Sequence, residues 1–525
     1  MHQEIRSILP ALIIFVPAGL GVVMAIIAYL GSRGVRVPTR AAGSVLAIAG
    51  SFISLAIAVA MAAIIVRGEG AILIGWRNEL RVDGLSALLV VAISLIGAAA
   101  SLFALRYMVH TQLLQRVGPE ATETRLGVFY MLYLFFLATM LWGCVTNNII
   151  MLYVAIEATT IASGLLVAFY WDRRGLEAGY KYLMLLTVGI TFALFGCVLL
   201  YTGARPKALD AGLDPLLISD LAQVAGQIDP TTALLAAAFL IVGFGTKAGI
   251  APFHPWLPDA HAEAPTPVSA LLSGVMIKMA AYALVRTVAV FYPGLPVVTT
   301  FIIILGAFTL ILGAVLTLVQ EDLKRLLAYS SVGQIGYVMI GLGLGTYLGV
   351  FGGLFHLLNH AIYKALLFMA TGAVIFAAAG RRNLHELGGL GRRMPVTAAC
   401  FFIGALALSG MPPFNGFWSK ITIYLAAAEA RQWWAAIIAI GCGILTLVAM
   451  VHVAYRVFWG EARDPGLNGS IKEVPATMLV PMVALSGLCV LLGVYPQLVF
   501  PIVDKAAHAI VDIVTGAAGS VTALR

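Results

Sequence analysis

Apolar residues along this chain come in long unbroken blocks, without the two-residue alternation of a half-buried strand. Runs of spanning length lie at about 8–30, 41–66, 84–105, 126–146, 148–171, 180–201, 232–250, 264–290, 299–320, 327–345, 348–379, 396–428, 433–458 and 475–500. A membrane-spanning helix needs about 20 mostly apolar residues, so each run predicts one span. Only the polar pair Asn147 and Asn148 separates the fourth run from the fifth. The seventh is interrupted by Pro252, Pro255 and Pro258, and the twelfth by Pro412 and Pro413. Backbone freed at such breaks is tolerated at membrane depth only when buried in protein or lining a wet cavity. The pattern predicts an all-α polytopic membrane protein of about fourteen transmembrane helices.

Composition narrows the function. With 24 acidic and 32 basic residues in 525, only 11% of the chain is charged, 61% is hydrophobic and the mean hydropathy is +0.99. Soluble domains carry roughly 25% charged residues, so soluble enzymes, nucleic-acid binders and disordered proteins are excluded. Fourteen spans use about 280 residues, and the rest is too dispersed for a separate soluble domain. Cys144, Cys197, Cys400, Cys442 and Cys489 are isolated within apolar runs. Zinc and iron–sulfur sites need clustered ligands, so no metal or cofactor is expected in this chain. The first run shows no cleavage site of a signal peptide.

Loop charge orients the bundle. Loops after odd-numbered spans hold eighteen Lys and Arg, and the termini and remaining loops hold ten, Arg286 among them. Lys324 counts with the eighteen. Basic loops stay in the cytoplasm, so both termini are expected outside.

Four lysines are left over, each inside a marked run: Lys247, Lys278, Lys364 and Lys420. One acid, Glu157, is equally deep. A charged group at mid-membrane costs on the order of 3 kcal/mol, so five impose roughly 15 kcal/mol. Lys247 and Lys420 lie near the ends of their runs, where the alternative is that they snorkel to the interface. For Glu157 the alternative is a static ion pair with one lysine. His356, His360 and Lys364 recur every four residues and so stack on one helix face. Burial favours a neutral lysine and a nearby carboxylate restores its charge. A switchable ion pair can therefore turn such a lysine from proton holder into proton donor. A haem reading would need a second axial ligand such as His452, because residues four apart on one helix cannot ligate opposite faces. No HExxH, GxSxG or Walker loop is present, so the chain has no evident active site of its own.

The segment GTKAGIAPFHPWLPDAHAEAPTPVSALLSGVMIKMAAYALVR, Gly245 to Arg286, resembles the antiporter-like membrane subunits of respiratory complex I, of group 4 energy-converting hydrogenases and of Mrp-type cation/proton antiporters. So do YVAIEATTIASGLL around Glu157, EDLKRLLAYSSVGQIGY (321–337), LFHLLNHAIYKALLF (354–368) and SGMPPFNGFWSK (409–420). The resemblance covers about residues 80 to 460. It implies two inverted five-helix repeats with broken helices 7 and 12. These would occupy 126–290 and 299–458, after an N-terminal three-helix segment at 1–110 and before a C-terminal helix and short tail at 475–525.

Carried over position by position, the resemblance makes Glu157 the fifth-helix glutamate and Lys247 the lysine that pairs with it. It makes Lys278 the eighth-helix lysine, His356, His360 and Lys364 the central relay, and Lys420 the twelfth-helix position. The expected route enters near Lys247, with Glu157 as switch. It passes Lys278, then His356, His360 and Lys364, and leaves near Lys420. His254 and His261, beside the first break, are candidates for the entrance or for subunit contacts, with capping of a short helix as the alternative.

The implied role is proton translocation, with Na⁺ as the alternative ion, in a prokaryotic plasma membrane. Implied partners are other membrane subunits, including antiporter-like paralogues, and a peripheral redox module carrying iron–sulfur clusters, flavin or a NiFe centre. A stand-alone Mrp-type antiporter without redox partner is the alternative. The EATT and LEAGYKYL segments are most similar to hydrogenase-4-type subunits. Lys278 argues against the inorganic-carbon branch, which replaces that lysine. The chain lacks the long lateral helix of the distal complex I subunit, and 503–514 is expected to form at most a short surface helix.

Overall fold

The structure, a computed structural model, describes residues 2–33, 35, 37–68, 73–76, 78–109, 119–461 and 471–522. Its helices are α1 (His2–Ser32), α2 (Thr39–Arg67), α3 (Gly84–Tyr107), α4 (Pro119–Val145), α5 (Ile149–Val167), α6 (Arg173–Asp210) and α7 (Pro230–Ala248). They continue as α8 (Thr266–Phe291), α9 (Pro296–Leu318), α10 (Leu323–Gly343), α11 (Tyr347–Ala377), the two-part α12 (Pro395–Ser409 and Asn415–Glu429), α13 (Trp433–Trp459), α14 (Ala476–Val494) and α15 (Phe500–Thr522). Among the described residues, thirteen helices are long and apolar enough to cross a membrane, and the two 15-residue parts of α12 supply the broken fourteenth span. A two-stranded hairpin, Leu73–Gly75 with Leu80–Val82, precedes α3.

Polar side chains mark where spans begin, because the first N–H groups of a helix lack backbone partners. Asp83 caps α3, Asn148 α5, Asp172 α6, Asp229 α7, Asp322 α10 and Thr346 α11. The caps of α5 and α10 repeat in detail. Each accepts from the N–H groups two and three residues on. Each also pairs with the segment after the next helix, Asn148 with Leu217 and Asp322 with Asn383. These are second helices of the two repeats, entering from opposite faces.

The breaks match as well. Gly249 and Gly410 end α7 and the first part of α12 at φ +76° and +82°, a left-handed conformation that glycine adopts without a Cβ penalty. Ala251–Pro252 and Pro412–Pro413 are both cis. After the first break the chain forms a short helix, Trp256–Glu263, whose Trp256 Nε1 donates to the freed Thr246 carbonyl at 2.8 Å. At the second, Asn359 Nδ2 of α11 donates to the Asn415 backbone carbonyl and Asn415 Nδ2 donates to Asn359 Oδ1, both at 3.0 Å.

The most enclosed spans are α8, α10 and α11, while α1 and α2 turn most of their surface outward. Two helices run beyond the expected bounds. α6 spans Arg173–Asp210 rather than 180–201, because its charged ends extend past the apolar stretch. α15 continues to Thr522 and packs against α3 and α11, so it is not merely a short surface helix. The approach is close: a Cβ on Gly84 would lie 2.3 Å from the Lys505 backbone.

Candidate functional site

α8 carries a widened π-helical turn at Leu272–Met276, a form that often occurs at functional sites. Within it, Ser273 accepts a hydrogen bond on its carbonyl from Lys278 Nζ, and its hydroxyl lies 2.8 Å from Ser331 Oγ of α10. Ser331 Oγ donates to the Leu327 carbonyl at 2.8 Å. Lys364 Nζ of α11 donates to that same carbonyl at 2.8 Å and to Ser330 Oγ at 2.5 Å. Two serine hydroxyls, flanked by the Ser273 and Leu327 carbonyls that hold the two amines, thus lie between Lys278 and Lys364.

His360, one turn from Lys364, has both ring nitrogens buried without a hydrogen-bond partner. Its ring stacks 6.2 Å from that of His356. His356 reaches Gln334 Oε1 through Nε2 at 3.1 Å and Ser419 Oγ through Nδ1 at 3.0 Å. Ser419 adjoins Lys420, whose ammonium donates to the Leu408 and Ser409 carbonyls at the α12 break (2.9 and 3.3 Å) and lies 4.6 Å above the Tyr337 ring. An ammonium buried without acceptors is costly; the carbonyls freed by the break supply them.

These contacts reverse part of the expected route. Lys364 adjoins Lys278 and His356 adjoins Lys420, so the order along α11 is Lys364, His360, His356. The direction follows from the register of α10 against α11, which residue spacing does not contain. Lys247 and Lys420 are 1% and 2% exposed and do not snorkel.

At the other end, Lys247 Nζ donates to the Ile156 carbonyl (3.2 Å) and to Thr160 Oγ1 (2.6 Å). Glu157 is half-buried; Oε1 accepts from Thr187 Oγ1 at 3.1 Å and Oε2 has no partner. The expected Glu157–Lys247 ion pair is therefore not formed here. Helix α5 directs the carboxylate toward α6, whereas the lysine reaches the backbone and hydroxyl on the neighbouring face.

His261 is fully buried, stacks on Phe368 of α11 at 4.8 Å and leaves both ring nitrogens unpartnered. His254 packs edge-on to Tyr329 at 6.3 Å. Neither side chain caps the short helix. Pro252 and Pro255 lie in the turn ahead of that helix, and Pro412 and Pro413 in the corresponding turn of α12. His452 is exposed on α13, away from the enclosed His356 and His360.

Two charges assigned to loops are in fact buried. Lys324 is 4% exposed and donates to the Ala264 carbonyl at 2.5 Å. Arg286 forms a two-pronged ion pair with Asp83, both contacts 2.6 Å, and also donates to Ser86 Oγ at 3.0 Å. Burial alone would raise the Asp83 carboxyl, but the charge and hydrogen bonds of Arg286 outweigh it and bring it down to about 2. Sequence reading missed these residues along with Ser273, Ser331, Gln334 and Ser419. The available signal was their place on lysine- or histidine-bearing helices and inside the quoted motifs.

Comparison with known proteins agrees with this architecture. Residues 146–446 match the family model described as NADH:quinone oxidoreductase/Mrp antiporter, TM. The chain is 33% identical to NADH-quinone oxidoreductase subunit N of Desulforudis audaxviator, over 84% of this chain and 88% of that protein. It is also 33% identical to the hydrogenase-4 component F homolog of Methylacidiphilum infernorum, over 73% and 79% of the two. A chain in the solved structure of the membrane-bound sulfane sulfur reductase, an archaeal respiratory membrane complex, superposes with a TM-score of 0.83 at 28% identity, covering 97% of this chain and 99% of that one. Fold, motifs and buried amines thus converge, and the chain belongs to the NADH:quinone oxidoreductase/Mrp antiporter transmembrane family.

Proposed function

We propose that this chain is the proton-translocating, antiporter-like membrane subunit of a complex I-like energy-converting assembly. Redox chemistry belongs to partner subunits, and this chain moves H⁺, with Na⁺ as the alternative coupling ion. The observation that carries the reading is the bridge from Lys278 through Ser273, Ser331 and the Leu327 carbonyl to Lys364. A bilayer gives a purely structural bundle no reason to hold four buried lysines on neutral acceptors.

Glu157 and Lys247 form the switch at one end. The proton line then runs through Lys278, Lys364, His360 and His356 to release beside Lys420. Hydroxyls of Ser273, Ser331 and Ser419 lie alongside this line, and water carries the protons between nitrogens too far apart to exchange them directly. The repeats at 126–290 and 299–458 each supply half of this line. The chain would sit in a prokaryotic plasma membrane, and the loop-charge balance supports both termini on its outer side.

The test reconstitutes the purified assembly in liposomes. Lys247→Ala and Glu157→Gln are each expected to depress proton flux with the complex intact, and unchanged flux in both defeats the relay. Subunit composition of the same preparation separates a redox-coupled complex from a stand-alone Mrp-type antiporter.

A further inference from the structure

Where α6 begins and α11 ends, on the face the loop charges assign to the cytoplasm, lie two adjoining cavities of about 360 and 260 Å³. They share Arg174, Glu263 and Arg382, and Lys247 lines neither. Their walls are ion pairs: Arg382 with Glu263 (2.8 Å) and Asp322 (2.6 Å), Arg325 with Asp259 (2.9 Å), and Lys181 with Glu177 (2.7 Å). The larger cavity is also lined by Lys324.

Behind Lys324 the polar groups continue inward. Its acceptor, the Ala264 carbonyl, ends the short helix that holds His261 three residues earlier. The His261 ring stacks on Phe368, one turn along α11 from Lys364, and both its nitrogens are buried without a hydrogen-bond partner. Lys364 in turn holds the carbonyl of Leu327, one turn along α10 from Lys324.

We propose that Lys324 and His261 form the cytoplasmic uptake port of the relay, carrying protons from this bowl to the Lys364–Lys278 centre and leaving Glu157 and Lys247 as the charge switch. The proposal rests on the relay reading above. Each step moves one proton: hydronium in the bowl gives one to neutral Lys324 Nζ and leaves as water, Lys324 passes it to a His261 ring nitrogen, and His261 passes it to Lys364 Nζ. Only N–H and O–H bonds form or break.

The repeat itself argues against a merely structural lysine. The caps of α5 and α10 make the same hydrogen bonds, yet the position two residues past the cap is Ile150 in one and Lys324 in the other. That turn folds without an amine.

The experiment uses the intact assembly in vesicles, with flux read by a pH-sensitive dye. Lys324→Arg keeps a cation able to hold the Ala264 carbonyl but unable to release a proton. It is expected to lower flux by roughly a hundredfold, the lower end of what a positioned proton-transfer group contributes. Lys324→Cys is expected to lose flux similarly and to regain it when 2-bromoethylamine rebuilds an amine on the sulfur. The native cysteines are all buried and serve as the background. Full flux in Lys324→Arg, or a cysteine variant that the rebuilt amine does not rescue, overturns the port.

Should assembly suffer, access still decides: a membrane-impermeant thiol reagent must reach Lys324→Cys from the cytoplasmic face, and failure to label from that side overturns the proposal. Lys278→Met is run alongside. If it keeps full flux, the relay itself is wrong. If it abolishes flux while Lys324→Arg does not, only the port is.

Discussion

Replacing Asp83 by Asn should unlock the C-terminal end of α8. The carboxylate accepts two 2.6 Å hydrogen bonds from Arg286 and caps α3 through the Ser86 N–H at 3.1 Å. Both partners are buried, at 4% and 6% exposure. Asn preserves shape and capping but leaves the guanidinium unpaired, and breaking a buried ion pair from one side costs about 3–5 kcal/mol. Asp83→Ala adds about 1 kcal/mol for the lost cap.

The same pair sets an acid limit. Folding holds Asp83 at about 2 against an ordinary 3.8, which corresponds to roughly 2.5 kcal/mol of stability. Because the folded value is depressed, that stability is complete above about pH 4 and is lost as the pH falls toward 2. Denaturant titration of the purified protein in detergent, from pH 6 to pH 2.5, measures both effects. Asp83→Asn should lower stability at pH 6 and remove most of the acid dependence this pair contributes. A variant within about 0.5 kcal/mol of the parent at pH 6, well under the buried-pair cost, refutes the reasoning. Arg286 is two turns from Lys278 on α8, so proton flux should fall as well.

Ser331→Ala removes the hydroxyl between the two central amines and leaves Ser273 Oγ without its 2.8 Å partner. It should cost about 1–2 kcal/mol and lower flux well beyond any loss of folded complex; flux per assembled complex checks this. Gly410→Ala forces a Cβ into a left-handed position and to within 2.7 Å of Lys420 Cδ. A stability loss of about 1–3 kcal/mol with reduced flux is expected, whereas Gly487→Ala, which meets nothing within 4 Å, is the neutral control in the same melting assay.

Residue order alone determined the bundle. Bilayer thickness makes each apolar block a span, and the cost of burying charge makes Lys278, His356, His360 and Lys364 stand out wherever they fall. The proline pairs at 252/255 and 412/413 likewise marked the broken helices, because proline cannot continue the ladder. What spacing could not supply was how helices are rotated and slid against one another. Lys324 and Arg286 read as loop charges because hydropathy registers nearness to a run's end; only packing of the short helix over α10, and of α3 against α8, encloses them. Hydroxyls of Ser273, Ser331 and Ser419 lie inside the quoted motifs, but nothing in the spacing says which groups they meet, since serine is tolerated anywhere along a span. They become a network because packing of α8 on α10 and of α11 on α12 brings Ser273 to Ser331 at 2.8 Å and Ser419 to His356 at 3.0 Å. The separation of Glu157 from Lys247 has the same origin: hydrogen bonds act over ångströms, and those ångströms are decided by contacts between distant parts of the chain.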